Sequence, residues 1–272
     1  MNTCVNESEI PFLKRLERKI IITGHYGSGK TEFAVSLAML LADARSGSNS
    51  TDSTTHKKTA TLYENARVQE NRPPVLVFSS IALVDLDIIN PYFRSRERKD
   101  MLKNAGVNVY GSAFENESTA ELPALSASVR APLESSSCKV IIDAGGNDAG
   151  ALVLNQFSKY FTDDETTVLA IVNANRPETS DIDNAIKHIK AIEFITGLNV
   201  SYIVNNTNLL RETSIDDILV GHEFCKKMCE LSGKLFLCDC YPAGIINPEE
   251  LSNISNNLMP LGLYMRPTWL DV

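Results

Sequence analysis

Residues Gly24-His25-Tyr26-Gly27-Ser28-Gly29-Lys30-Thr31 follow the apolar run Lys19-Ile20-Ile21-Ile22-Thr23 and lead straight into a helix-patterned stretch from Glu32 to Leu41. GxxxxGK[ST] between a strand and a helix is the pattern of a phosphate-binding loop. Glycines let backbone amides close around phosphate oxygens, and the following helix adds the positive end of its dipole. Lys30 supplies a point charge for the β- and γ-phosphates, and the Thr31 hydroxyl suits Mg²⁺. The cofactor-binding set read here is Gly24, Gly27, Ser28, Gly29, Lys30, Thr31 and Glu32. The competing reading, a glycine turn that merely caps a helix, does not require the strand and helix that flank this loop.

The rest of the chain repeats the strand and helix alternation. Candidate strands are Val75 to Phe78, Ile81 to Asp85, Val107 to Tyr110, Val140 to Asp143, Val168 to Asn173, Val200 to Asn205, Leu235 to Cys240 and Leu261 to Tyr264. Candidate helices are Phe93 to Ala105, Ala149 to Tyr160, Asp181 to Thr196, Ile215 to Ser232 and Pro248 to Asn256. Near-continuous Val/Ile/Leu strands interleaved with helices predict an α/β fold: a doubly wound, mostly parallel sheet of about seven or eight strands covered on both faces. The chain of 272 residues, 43% of them hydrophobic, reads as one domain over 19–272 with residues 1–18 as an N-terminal extension. Asp43 to Pro74 includes a Ser/Thr/Asn/Gly-rich run with almost nothing to bury, which predicts a low-complexity surface insertion, with a short helix over Thr61 to Gln69.

In such folds ligands sit beyond the carboxyl ends of the strands, so polar residues there should converge. One strand ends in Val84-Asp85-Leu86-Asp87-Ile88-Ile89-Asn90, and another in Ile142-Asp143-Ala144-Gly145-Gly146. An apolar strand ending in Asp is the Walker B arrangement, whose carboxylate holds the water shell of Mg²⁺, and Gly146 completes a DxxG able to swing toward a γ-phosphate. A lone strand-end aspartate is usually a turn residue, but three of them beside a phosphate loop favour function. Thr31, Asp85 and Asp143 are the predicted metal set, and Lys30, Asp85 and Asp87 the predicted catalytic set.

A net charge of −8 argues against nucleic acid as the main partner. The charged first eighteen residues read as neither a secretory signal nor a mitochondrial leader, and no apolar stretch is long enough to span a membrane. A soluble cytoplasmic protein is expected. Six cysteines stand at positions 4, 138, 225, 229, 238 and 240. The cluster Cys225, Cys229, Cys238 and Cys240 is either a soft metal site or a set of reduced structural thiols, and its CxxxC and CxC spacings do not match common zinc patterns.

With these segments the chain resembles the MinD/ParA/CobQ/CobB group of P-loop ATPases in the SIMIBI class, and within it a bacterial branch carrying GHYGSGKTE, VDLDIxNPYFRxRE and VNNT segments. The resemblance runs from Lys19 to Met265 apart from the insertion. It implies ATP and Mg²⁺ as ligands, Asp85 on the Mg²⁺ side of a switch, Asp87 polarising the attacking water, and Asp143 with Gly146 as Walker B and second switch. It also implies an asparagine that pairs with adenine, Asn205 or Asn206, with Pro242 flanking the ring. Guanine readers carry an NKxD segment, and the strand end Val204-Asn205-Asn206-Thr207-Asn208 has no such Asp.

MinD and ParA proteins also place near the loop's start a lysine that reaches across a homodimer. Here that position is His25; Arg94, Arg96 and Arg176 are the candidates to supply the missing charge, in cis or in trans, and read equally as residues of a solvated helix face or strand-end loop. The resemblance implies a slow ATPase that switches a protein partner. A small-molecule kinase or synthetase with a pocket near Arg94, Arg96, Glu121 and Arg176, a metallocentre-maturation factor using the cysteines, and a scaffold with negligible turnover are the other readings.

Overall fold

The computed structural model describes residues 10–49, 78–87, 98–111, 127–146, 148–179 and 181–265. Eight strands form one parallel sheet: β1 (Lys19–Gly24), β2 (Ser80–Asp85), β3 (Val107–Tyr110), β4 (Cys138–Asp143), β5 (Thr166–Val172), β6 (Tyr202–Asn205), β7 (Leu235–Pro242) and β8 (Leu258–Leu261). Their order across the sheet is β3-β2-β4-β1-β5-β6-β7-β8. The helices are α1 (Lys30–Asn49), α2 (Lys99–Asn104), α3 (Ala127–Glu134), α4 (Asp148–Asn155), α5 (Ile182–Thr196) and α6 (Ile215–Ser232). This is the doubly wound α/β fold that the alternating pattern predicts.

The two-residue period of each strand sorts its side chains into two core layers. Ile20, Ile22, Leu83, Ile141 and Leu169 pack with Phe33, Leu37 and Leu41 of α1 and Leu102 of α2. Ile21, Val84, Val140, Ile142 and Ala170 pack on the other face with Val129 of α3, Leu154 of α4, Ile189 of α5 and Met228 of α6. Every residue of β1, β4 and β5 is buried, which is why the middles of these strands read as apolar runs, with polar residues at or near their ends. α5 starts on the Asp181 side chain, which accepts from the Asp183 N–H, and stops at Gly197 with φ +68°. α6 has a Ser214/Asp217 capping box and stops at Gly233 with φ +71°.

Several boundaries differ from expectation, each for a local reason. α1 continues past Asp43, and Arg45 donates to the Ser79 and Gly106 carbonyls, so the domain includes the first residues assigned to the insertion. Residues 50–74, and with them the expected Thr61 to Gln69 helix, lie outside the described residues. So do positions 75–77 of the first expected strand and 93–97 at the start of the Phe93 to Ala105 helix. β8 ends at Leu261 instead of beginning there, and it carries Pro260, which an edge strand tolerates because one side has no ladder to feed. Pro248 to Asn256 gives only a short 3₁₀ turn, Pro248–Leu251. α3, which contains Pro132, has no counterpart among the expected helices.

The segment before β1 also joins the core: Phe12 and Leu13 are buried, and buried Lys139 donates to the Leu16 and Glu17 carbonyls. Hydrogen bonds from Arg18 and Lys19 hold the Glu165 carboxyl down at about 2. Among the described residues no helix is long and apolar enough to cross a membrane.

Candidate nucleotide site

Register brings the polar strand ends to one edge of the sheet. Asp143 at the end of β4 pairs with Asp85 of β2 on one side and with Ile22 of β1 on the other. β1 lies between β4 and β5, yet its chain continues to β2 on one side while that of β4 crosses to β5 on the other. The crevice at this reversal is where open α/β sheets bind ligands, and residues 24–31 occupy it.

The loop needs its glycines. Gly29 has φ +84°, and a Cβ there would stand 2.4 Å from the Asn206 amide nitrogen. A Cβ on Gly146 would lie 2.1 Å from the Gly24 carbonyl oxygen and 2.6 Å from Lys30 Nζ, so the stretch after Asp143 runs against the loop with no room for a side chain. Lys30 Nζ donates to the His25 carbonyl across the loop at 2.9 Å. The His25 ring sits 5.3 Å from that of His188 on α5, and its Nδ1 is 2.6 Å from the Tyr26 carbonyl.

Charge is concentrated behind this loop. Lys30 is 6% exposed and Thr31, Asp85, Asp87 and Asp143 are buried, with Asp143 fully enclosed. Burial pushes the Asp143 carboxyl up to about 8, and the neighbouring Asp85 carboxylate adds to that, while Lys30 pulls the other way. The Thr31 hydroxyl is near enough to lower the value, but neither Asp143 oxygen accepts a well-formed hydrogen bond. Burial lowers the Lys30 pKa against the opposing fields of Asp143 and Asp87. Asp87 donates its N–H to Asp85 Oδ1 at 3.1 Å, and its own carboxylate lies 3.4 Å from where a Gly145 Cβ would stand.

A buried carboxylate with no hydrogen-bond partner in the protein is costly unless a cation or donor reaches it. A hydroxyl and carboxylates are the hard oxygen donors that Mg²⁺ takes, usually beside retained waters and substrate phosphates. The residues present therefore fit Mg²⁺. Among the described residues no group of three His, Cys, Asp or Glu side chains is arranged to enclose a metal ion by itself. The described cysteines therefore make no metal cage. Cys238 and Cys240 pack in the α1 layer and Cys225 in the α6 layer, and burial pushes the Cys225 and Cys240 thiols up.

Three expected ligand contacts are placed differently. Glu32 does not face the loop. Its carboxylate accepts from the Tyr264 and Met265 backbone N–H groups, both at 2.8 Å, and from Ser36 Oγ at 3.1 Å, pinning the turn after β8 to the first turn of α1. Glu32→Ala is expected to destabilise the fold by about 1–3 kcal/mol, the cost of leaving such donors unpaired, and to leave nucleotide affinity within about twofold of wild type; thermal melts and titrations read the two effects.

Asn205 is wholly buried. Its amide hydrogens go to the Ile218 carbonyl and Asp239 Oδ1 and its oxygen accepts from the Thr207 N–H, so its side chain is a core strut with no donor left for a base. Asn206 reaches the loop itself, donating to the Ser28 carbonyl at 2.6 Å and accepting from Asn208 at 3.1 Å. Pro242 closes β7 as a buried residue. Asp239, which holds Asn205 and also lies 2.9 Å from His222 Nδ1, is absent from the expected site residues. Its signal in the sequence is a carboxylate in the middle of an apolar strand, which burial forces to find partners.

Arg176 is exposed, and its Nε donates to the Gly27 carbonyl at 2.9 Å. Asn90, Arg94, Arg96 and Glu121 lie outside the described residues.

No family model matches the chain, and no curated protein matches it. The fold is a doubly wound α/β sheet, consistent with a P-loop NTPase-like architecture.

Proposed function

We propose that this chain is a Mg²⁺-dependent nucleoside-triphosphate-binding protein that hydrolyses its ligand. More particularly, it is a slow ATPase of the MinD/ParA-like kind whose bound nucleotide sets its affinity for a protein partner. The observation that carries the reading is the pairing of a glycine loop with a buried cation and a buried carboxylate behind it. Lys30 and Asp143 face each other's fields where burial opposes the charge of both. A triphosphate with Mg²⁺ would give Lys30 anionic oxygens in place of the His25 carbonyl, and Asp143 the cation it lacks.

In this reading the amides of residues 27–31 and the start of α1 take the phosphate oxygens. Thr31, Asp143 and Asp85 would hold Mg²⁺, which would supply positive charge to the phosphate chain. Asp87 orients the attacking water. Gly146 lies against both the loop and Lys30, so a γ-phosphate would move the stretch after Asp143, and a partner would read that movement. ATP is favoured over GTP because the strand end at 204–208 has no Asp to accept from a guanine edge.

The test is Asp87→Ala. Binding of Mg-ATP should persist within a few-fold while hydrolysis falls about 100-fold or more, the scale of losing a positioned general base. Unchanged turnover would remove Asp87 from this role. Basal hydrolysis that rises with a partner protein supports the switch, whereas turnover only with a small acceptor supports the kinase reading.

A further inference from the structure

The loop is held from outside by two side chains. Asn206, buried, donates to the Ser28 carbonyl, and Arg176, exposed, donates through Nε to the Gly27 carbonyl. These are consecutive peptide units. Because C=O and N–H of a trans peptide point in opposite directions, pinning the Gly27 carbonyl turns the Ser28 N–H away from Arg176, and that N–H donates to the His25 carbonyl at 3.2 Å. Pinning the Ser28 carbonyl turns the Gly29 N–H away from Asn206 in the same manner. The Lys30 ammonium donates to the same His25 carbonyl at 2.9 Å, so the Gly27 peptide that Arg176 holds is tied through the Ser28 N–H and the His25 carbonyl to Lys30. The Ser28 hydroxyl, fully buried in this loop, has no hydrogen-bond partner in the protein.

Arg176 is held where it is by a tightly bonded turn. The Asn173 side chain accepts from the Asn175 N–H, Thr179 Oγ1 donates to the Asn173 carbonyl at 2.6 Å, and the Ala174 N–H donates to Thr207 Oγ1. The Arg176 N–H donates to the Asn173 carbonyl, and its own carbonyl accepts from the Thr179 N–H. The guanidinium carbon would be 3.5 Å, and Nε 3.3 Å, from a Cβ on Gly27, so the group lies against that glycine.

We propose that Arg176 is a positioning residue for the phosphate cradle: it fixes the Gly27 peptide and, through the Ser28 N–H and the His25 carbonyl, the loop around Lys30 in the form that receives a polyphosphate. This rests on the functional reading above and deepens it. The role assigned here is to organise binding of the phosphate chain, whichever base it carries, and not to supply charge opposite the γ-phosphate during hydrolysis.

The test uses full-length Arg176→Ala, Mg-ATP and inorganic tripolyphosphate with Mg²⁺. Hydrogen exchange at residues 27–29 should speed up in the ligand-free variant. Affinity for both ligands should fall by the same factor, about tenfold, with kcat for ATP within about twofold of wild type. Unchanged exchange and affinity overturn the proposal. So does a fall in kcat with affinity intact, which would make Arg176 a transition-state contact, or a loss confined to ATP, which would place it on the nucleoside. If the wild-type chain binds neither ligand the functional reading fails, and exchange in the ligand-free variant still decides whether Arg176 braces the loop.

Discussion

Lys30→Ala is expected to weaken Mg-ATP binding by about 100-fold or more and to abolish hydrolysis with it, since charge-assisted hydrogen bonds to phosphate are each worth about 1.5–3 kcal/mol. Lys30 is a buried ammonium that the neighbouring carboxylates help to keep charged, and it donates to a loop carbonyl that phosphate oxygens would replace. Titration calorimetry and a phosphate-release assay check the two losses together. Loss of turnover with full affinity would move Lys30 from binding to chemistry alone, and normal binding with normal turnover would end the assignment of this loop.

Asp143→Asn separates stability from function. The ligand-free protein holds a carboxyl whose pKa rises from 3.8 to about 8 on folding. Between those values the native state binds more protons than the unfolded chain, so this group makes stability fall as pH rises from about 4 to 8. The amide has no charge to bury. In the absence of nucleotide the variant should melt near wild type at about pH 5 and above it at about pH 8.

The expected gap at the higher pH is about 1–3 kcal/mol, the cost of a buried unsatisfied polar group, or several degrees for a chain of this length. Mg-ATP should invert the order. Saturating ligand stabilises wild type by about 2.7 kcal/mol at a hundredfold excess over Kd, and the variant, lacking the carboxylate for the metal, should gain far less. A variant that is less stable than wild type at the higher pH would mean that the Asp143 carboxylate is already well satisfied in the ligand-free protein.

Much of the fold is legible in the sequence because burial on both faces leaves an unmistakable trace. β1, β4 and β5 are apolar almost throughout and stand out as runs, and α6 is marked at both boundaries by Ser214 and Gly233. The loop is legible for a different reason: its backbone demands glycine, since Gly146 stands against the Gly24 carbonyl with no space for a Cβ and Gly29 takes φ +84°. What cannot be read is direction. Glu32 is next to Thr31 in sequence, but one residue along a helix turns a side chain by about 100°, and it meets Tyr264 and Met265 instead of the loop.

Asn205 and Asn206 likewise part company at the strand end, one held in the core against Asp239 and the other on Ser28. Sequence alone gives both the same polar label. Arg176 is legible as a charge near the strand ends, but the Gly27 carbonyl it grips depends on a turn closed by Asn173, Thr179 and Thr207, the last of which belongs to a different strand end.

Titration calorimetry of the full-length protein with ATP, in the presence and absence of Mg²⁺, addresses the central claim most directly. Saturable one-to-one binding that tightens with Mg²⁺ and is lost in Lys30→Ala is the predicted result. No binding heat from any purine triphosphate with Mg²⁺ present, at temperatures chosen so that a zero enthalpy at one is exposed at another, would contradict it.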